Sequence, residues 1–409
     1  MPLDVAGHET MLLPPRSTGT YEATLMSLAD GRVALFHESD GILQMRTSAD
    51  AGRTWSPSAP LTTTAGMSIA GLRTSPVRLG SGRLGLFHTG ARMRPGRDGK
   101  LVFRVSPDEG RTWSDGVDVD PLFAVLRSES GRVLADGRLI APVFCWISAY
   151  TGGESEAPSH GFCYSWVYWS DDEGATWQRS LSELAVAENE GRGGVYQFEE
   201  PVVECLADGR LLMLGRTELG RHYVSVSADR GVTWSVPAPG PVAAGYTPTL
   251  LRRIPPTGDL LMIWNQVVPE ELPLGLARHR LSCAISRDDG VSWTGFRNLE
   301  SLDDQVRLQP PPAAPLQVYR PPTGTVYRQP MDAARFPHAP GPLRVCYPSV
   351  AFVGDEVLVA YDCDDTDAVT RGQPLAGRHG TKLRILPLSW FYANASGAAA
   401  ADPEPGAEE

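Results

Sequence analysis

SADAGRTW, at residues 48–55, recurs down the chain as SPDEGRTW (106–113), SDDEGATW (170–177), SADRGVTW (227–234) and SRDDGVSW (286–293). The tryptophans at 55, 113, 177, 234 and 293 are 58, 64, 57 and 59 residues apart, so one structural unit is repeated at near-constant length. Each copy reads as a turn. Its Asp is suited to accept from backbone N–H groups of its own loop, its Gly supplies a positive φ, and its Trp brings a large apolar area to bury between neighbouring units. The boxes are therefore read as structural rather than catalytic.

A second repeat lies upstream of each box and once more near the end: apolar strand, Gly turn, apolar strand. Its copies are SLADGRVALF, RLGSGRLGLF, VLADGRLIAP, CLADGRLLML, RIPPTGDLLMIW and AFVGDEVLVAY, turning at Gly31, Gly82, Gly137, Gly209, Gly258 and Gly354. Six hairpins and five boxes predict an all-β fold, a six-bladed β-propeller of four-stranded blades, with the last box lost. One blade cannot bury both its faces alone, so the ring must close. The strand KLRILPLSWF (382–391) is expected to complete blade six, with closure by the N-terminal stretch left open. Residues 1–395 read as one propeller, 309–342 as a proline-rich excursion from the last blade, and 396–409 as an acidic disordered tail.

Bulk properties narrow the partners. The 409-residue chain has a formal net charge of −11, which disfavours a nucleic-acid backbone as ligand. No apolar run approaches the roughly 20 residues that span a bilayer, so no membrane partner is expected. The first fifteen residues lack a basic, then apolar, leader, and the six cysteines contain no CxxC pair; a reduced, cytoplasmic protein is the expectation. The eight histidines show no ligand spacing, CDDTD (363–367) reads as a solvated loop, and no Gly-rich phosphate cradle follows a strand. Neither metal nor cofactor is predicted.

The hairpin phasing also predicts a site. In a blade the innermost strand leads into the Gly turn and the second strand returns. Nine residues before the Gly stand Glu22, Arg73, Ser128 (beside Arg127), Glu200 and Thr249, with Tyr347 seven before the irregular sixth turn. Seven residues after it stand Glu38, Thr89, Phe144, Arg216, Asn265 and Tyr361, with Asp362 next. These positions should line one mouth of the channel, with the boxes on the far face. Converging charges are costly unless a ligand or each other satisfies them, so the ring is the candidate active site.

Over about residues 20–392, the boxes and hairpins resemble the sialidase (neuraminidase) superfamily. The resemblance implies an exo-glycoside hydrolase that removes a terminal sialic acid or related acidic sugar. In FEEPVVECLADGRLLMLGR (198–216), Glu200 and Arg216 match the family's Glu and the Arg that follows it after the turn. In CYPSVAFVGDEVLVAYD (346–362), Tyr347 matches the nucleophile and Asp362 a site acid. Either Arg278 or Arg280 in ARHRLSCAIS (277–286) matches a carboxylate-clamping Arg, with Arg280 favoured, and Asn265 joins the binding set. Asp40 or Glu38, in HESDGILQMRTS (37–48), would supply the acid.

Such a substrate explains the residue types. Its carboxylate repels an anionic nucleophile, whereas neutral Tyr attacks once a Glu takes its proton. Arginines grip the carboxylate by paired hydrogen bonds. Two features depart from the pattern or lie beside it. Glu22, in TYEATL (20–25), stands where the family has a clamping Arg, with Arg73 as a partial substitute; Glu199 is expected to point away from the site. Two other readings stay open: a lyase or non-sialic glycosidase using Glu22 and Glu200 as acid and base, and a non-catalytic glycan-binding propeller.

Overall fold

All five boxes close with one bonding pattern. In the first, Gly52 N–H donates to Ser48 Oγ at 2.8 Å, Thr54 N–H to Asp50 Oδ1 at 2.8 Å, and Trp55 Nε1 to Gly52 O at 2.8 Å. The same bonds recur around Asp108, Asp172, Asp229 and Asp288. The residue before each box Gly also takes a positive φ, from 53° at Ala51 to 60° at Arg230. That turn aims its side chain at the preceding blade. Glu109 accepts from Ala29 N–H at 3.0 Å, Glu173 from Ser81 N–H at 2.7 Å and Asp289 from Ala207 N–H at 2.9 Å. Boxes and hairpin turns therefore share one face of the ring, as the phasing predicts.

The computed structural model describes residues 7–16, 21–90, 100–121, 123–146, 163–188, 194–217, 219–267, 278–301, 345–364 and 379–393. The proline-rich 309–342, the tail 396–409 and most of 363–367 lie outside these. Six sheets form six blades. Blade one runs Thr24–Ser27, Val33–Ser39, Ile42–Ser48, Ala59–Pro60, and blade two Leu72–Arg78, Leu84–Thr89, Leu101–Ser106, Val117–Asp118. In blade three the inner strand is split into Val125–Leu126 and Arg132–Val133, both paired to Leu139–Trp146, before Cys163–Ser170 and Gln178–Arg179. Blade four is Glu199–Cys205, Leu211–Arg216, Arg221–Ser227, Ala238–Ala243; blade five is Leu250–Arg253, Leu260–Trp264, Arg280–Ser286, Thr294–Ser301.

Blade six combines both ends of the chain. Val345–Val353, Glu356–Asp364 and His379–Pro387 take His8–Arg16 as their outer strand, so the N-terminal stretch closes the ring. The expected strand over 382–391 stops at Pro387. Leu388–Tyr392 is instead a short helix that buries Trp390 and Phe391 in the layer between blades five and six.

Apolar layers fill the six blade interfaces. The box tryptophans sit in these layers, each against the blade before its own. Trp113 is fully buried against Phe36, with ring centroids 6.3 Å apart, and Trp177 meets Phe87 and Phe103, each at 5.4 Å.

Candidate active site

The inner strands reach the channel mouth through bulges. Between Leu72↔Thr89 and Thr74↔His88 the inner strand of blade two carries one extra residue, Arg73. Blade four has one extra residue between Glu199↔Arg216 and Val202↔Leu214, and blade six one between Cys346↔Asp362 and Ser349↔Ala360. Blade three bulges furthest: Arg127–Gly131 oppose only Ala141–Pro142. A bulge bends its strand and re-aims a side chain. Glu22, Arg73, Glu129, Glu200 and Tyr347 all adopt left-handed backbone, φ 46° to 64°. Such conformations in non-glycine residues cost on the order of 1–3 kcal/mol each and persist only where the surroundings enforce them.

The bulge residues meet. Tyr347 Oη donates to Glu200 Oε1 at 3.3 Å, while Arg216 Nη1 donates to Glu200 Oε2 at 2.8 Å. Arg73 lies 3.1 Å from Glu22 and 3.9 Å from Glu200, and Ser128 Oγ donates to Glu22 Oε2 at 3.3 Å. The Arg278 guanidinium lies over the Tyr347 ring, 5.5 Å from its centroid. Contrary to the strand-period expectation, Glu199 also faces inward: Arg216 Nη2 donates to its Oε1 at 2.7 Å. The bulge between the two glutamates defeats simple alternation. Tyr246, which no repeat count singled out, stacks on Arg216 at 4.2 Å and donates its hydroxyl to Glu199 and to Gln197.

The charges set protonation. Burial pushes the Glu200 carboxyl up, but Arg216, Arg73, Arg127 and Arg278 together outweigh it and hold Glu200 below its usual range. Burial raises Glu199, which Arg216 only partly offsets. Tyr347 is raised by burial and then by the nearby Glu200 and Glu22 charges, so its phenol keeps its proton at neutral pH. Around Glu200, four guanidiniums (Arg73, Arg127, Arg216, Arg278) stand against three carboxylates (Glu22, Glu199, Glu200), an excess of one positive charge when all are ionised. A neutral tyrosine backed by an ionised acceptor in a positive mouth suits attack on an anionic substrate.

Several predicted positions serve the scaffold instead. Asn265 Nδ2 donates to Arg280 O and Val345 O, tying blade five to blade six. Arg280 is fully buried with Nη1 3.5 Å from Gln266 O, so Arg278, not the favoured Arg280, is the arginine placed over the tyrosine. Asp362 accepts from Glu22 N–H at 3.0 Å and from Thr381 Oγ1, holding the first bulge from behind. Thr249 bonds His222, Phe144 is core, and Tyr361 donates to Glu300. Second strands lie a step farther from the axis, and of their tips only Arg216 joins the cluster around Tyr347 and Glu200. Glu38 accepts from Gly41 N–H within its own hairpin, and Asp40 stands exposed at that hairpin's tip. Among the described residues, no group of three His, Cys, Asp or Glu is gathered for a metal.

Blade three shows why its positions escaped a fixed count. Its bulge residue Glu129 lies eight rather than nine residues before the turn glycine. The signal that sequence does offer is the proline after Glu200 and Tyr347, since Pro201 and Pro348 cannot donate to a ladder and mark bulges.

Comparison with known proteins agrees with this geometry. A BNR repeat-like domain model matches residues 74–357. A sialidase of Paraclostridium sordellii is 29% identical over 155 residues, 34% of this chain and 33% of the relative, so the match spans about a third of that protein's length. Among solved structures, a Dyadobacter fermentans protein of unknown function aligns with TM-score 0.61 at 14% identity, covering 95% of this chain and 100% of its own. Trypanosoma rangeli sialidase aligns with TM-score 0.59 at 13% identity, covering 95% and 61%. The NanB sialidase from Streptococcus pneumoniae gives 0.58 at 12%, covering 95% and 72%. At these identities the structural likeness is one of fold. With the family model matching well over half of its length, the chain belongs to the BNR repeat-like domain family, as a six-bladed propeller of the sialidase superfamily.

Proposed function

We propose that this propeller is a glycoside hydrolase that removes a terminal sialic acid or related acidic sugar, with Tyr347 as nucleophile and Glu200 as its base. The observation that carries the reading is the 3.3 Å contact from Tyr347 Oη to Glu200 Oε1, with Arg216 on the other carboxylate oxygen. As the phenol oxygen bonds to the anomeric carbon, its proton passes to Glu200, and the bond to the leaving oxygen breaks. Asp40, the exposed member of the Glu38/Asp40 pair, protonates that oxygen, while Glu38 supports the hairpin. Water then displaces Tyr347, with Glu200 returning the proton to the phenol. Two displacements give net retention.

The carboxylate clamp differs from one built on three arginines. Arg73 is committed to Glu22, so Arg216 and Arg278 are the arginines assigned to the substrate carboxylate. Arg278 suits the task, because its recorded contacts are only the Tyr347 ring and Cys346 Sγ at 3.4 Å. The test is release of 4-methylumbelliferone from its sialic acid ketoside. Tyr347→Phe is expected to lower kcat on the order of 10³-fold or more. Unchanged turnover in that variant removes Tyr347 as nucleophile.

A further inference from the structure

Tyr347 stands on a strained bulge, so its direction depends on whatever holds residues 346–350. Three holds cross the channel. Leu25 N–H, from blade one, donates to Ser349 Oγ at 2.8 Å. Arg127 Nη2 reaches Pro348 O at 3.4 Å, and Val350 N–H donates to the Glu129 carboxylate at 3.1 Å (Oε2) and 3.3 Å (Oε1). Arg127 and Glu129 belong to the interrupted inner strand of blade three, 221 residues away in sequence from the groups they bind.

Glu129 is itself locked. Arg252 Nε, from blade five, donates to its Oε1 at 2.9 Å, and Arg132 Nη1 donates to the carbonyls of Glu129 and Gly131, each at 2.8 Å. The carboxylate is 1% exposed, and its recorded hydrogen-bond partners are Arg252 and Val350. It therefore acts on other residues rather than on a ligand.

We propose that Glu129 is a positioning residue for Tyr347, bracing the nucleophile's bulge from the opposite side of the channel; the role rests on the nucleophilic reading of Tyr347. Two oxygens receive two N–H donors, from Val350 and Arg252. An amide would turn one of those oxygens into a donor facing a donor. An aspartate keeps the charge but falls about 1.5 Å short. Either change frees the bulge while leaving Arg216 and Arg278 in place.

The experiment compares Tyr347→Phe, Glu129→Gln and Glu129→Asp in the full chain, on the 4-methylumbelliferyl ketoside of sialic acid. It also measures the inhibition constant of 2,3-unsaturated sialic acid and the thermal melt of each variant. Both Glu129 variants are expected to lose about 10- to 100-fold in kcat, the scale of an ångström-sized misplacement, with KM and the inhibition constant within about twofold of the parent. If Glu129→Gln does not fold, Glu129→Asp carries the test. An inactive Tyr347→Phe beside Glu129 variants with parental kcat overturns the brace alone. Weakened inhibitor binding in step with the loss of kcat also overturns it, since the whole mouth would have collapsed. An active Tyr347→Phe overturns the nucleophile and the brace with it.

Discussion

A carboxylate ringed by guanidiniums is a weak base until something draws their charge away, and Glu200 is in that position. Its carboxyl lies below the usual value of 4.5 because four arginines outweigh its burial. The ionised form is the competent one, so kcat/KM should climb with rising pH through a limb below 4.5 and then level. A bound substrate carboxylate adds a negative charge beside Glu200 and raises its pKa, so the acidic limb of kcat should lie at higher pH than that of kcat/KM. Arg73→Met removes a cation from Glu200 and leaves Glu22 unneutralised, and both changes raise the pKa. The limb of kcat/KM should then move to higher pH, read from pH profiles of parent and variant. At this scale the sequence showed residue types well and partners poorly. Glu200, Arg216 and Tyr347 followed from repeat phasing and family resemblance, while Glu199 was assigned to the wrong face because one bulged residue resets strand alternation.

Elements were more legible, because each box is a self-contained piece of chemistry. Ser, Asp, Gly and Trp satisfy one another within eight residues, so the turn forms wherever the motif stands. The Trp then joins the blade to its predecessor. Trp113 is fully buried between blades one and two, in contact with Phe36, and its Nε1 donates to Gly110 O. Trp113→Ala should cost about 3–5 kcal/mol of stability, measured as a shift of the urea unfolding midpoint. Helix Leu388–Tyr392 was not legible: its Trp390 and Phe391 continue an apolar run that reads as strand, and only packing against blade five draws them into a turn of helix. The mouth positions divide for a similar reason. Inner-strand tips converge because bulges aim them, whereas Asn265 and Tyr361 on second strands are consumed in joining blades five and six.

At the scale of the whole ring, closure joins the two ends of the chain. His8–Arg16 pairs with His379–Pro387, buries Leu12 and Leu13, and places Glu9 3.1 Å from Lys382 and 3.2 Å from Arg384. Deleting residues 1–16 forfeits about 1.5–3 kcal/mol for each leucine and bares a strand edge on the blade that carries Tyr347. The truncated chain should melt at lower temperature and self-associate, seen by calorimetry and light scattering. The sequence by itself determined the number of blades, the turn face and the boxes, because these depend on local bonds that repeat every sixty residues or so. The tertiary structure alone decided which side chains share the mouth and what braces them. Contacts such as Arg127 with Pro348 span 221 residues around a closed ring, and no local period encodes a meeting across a channel.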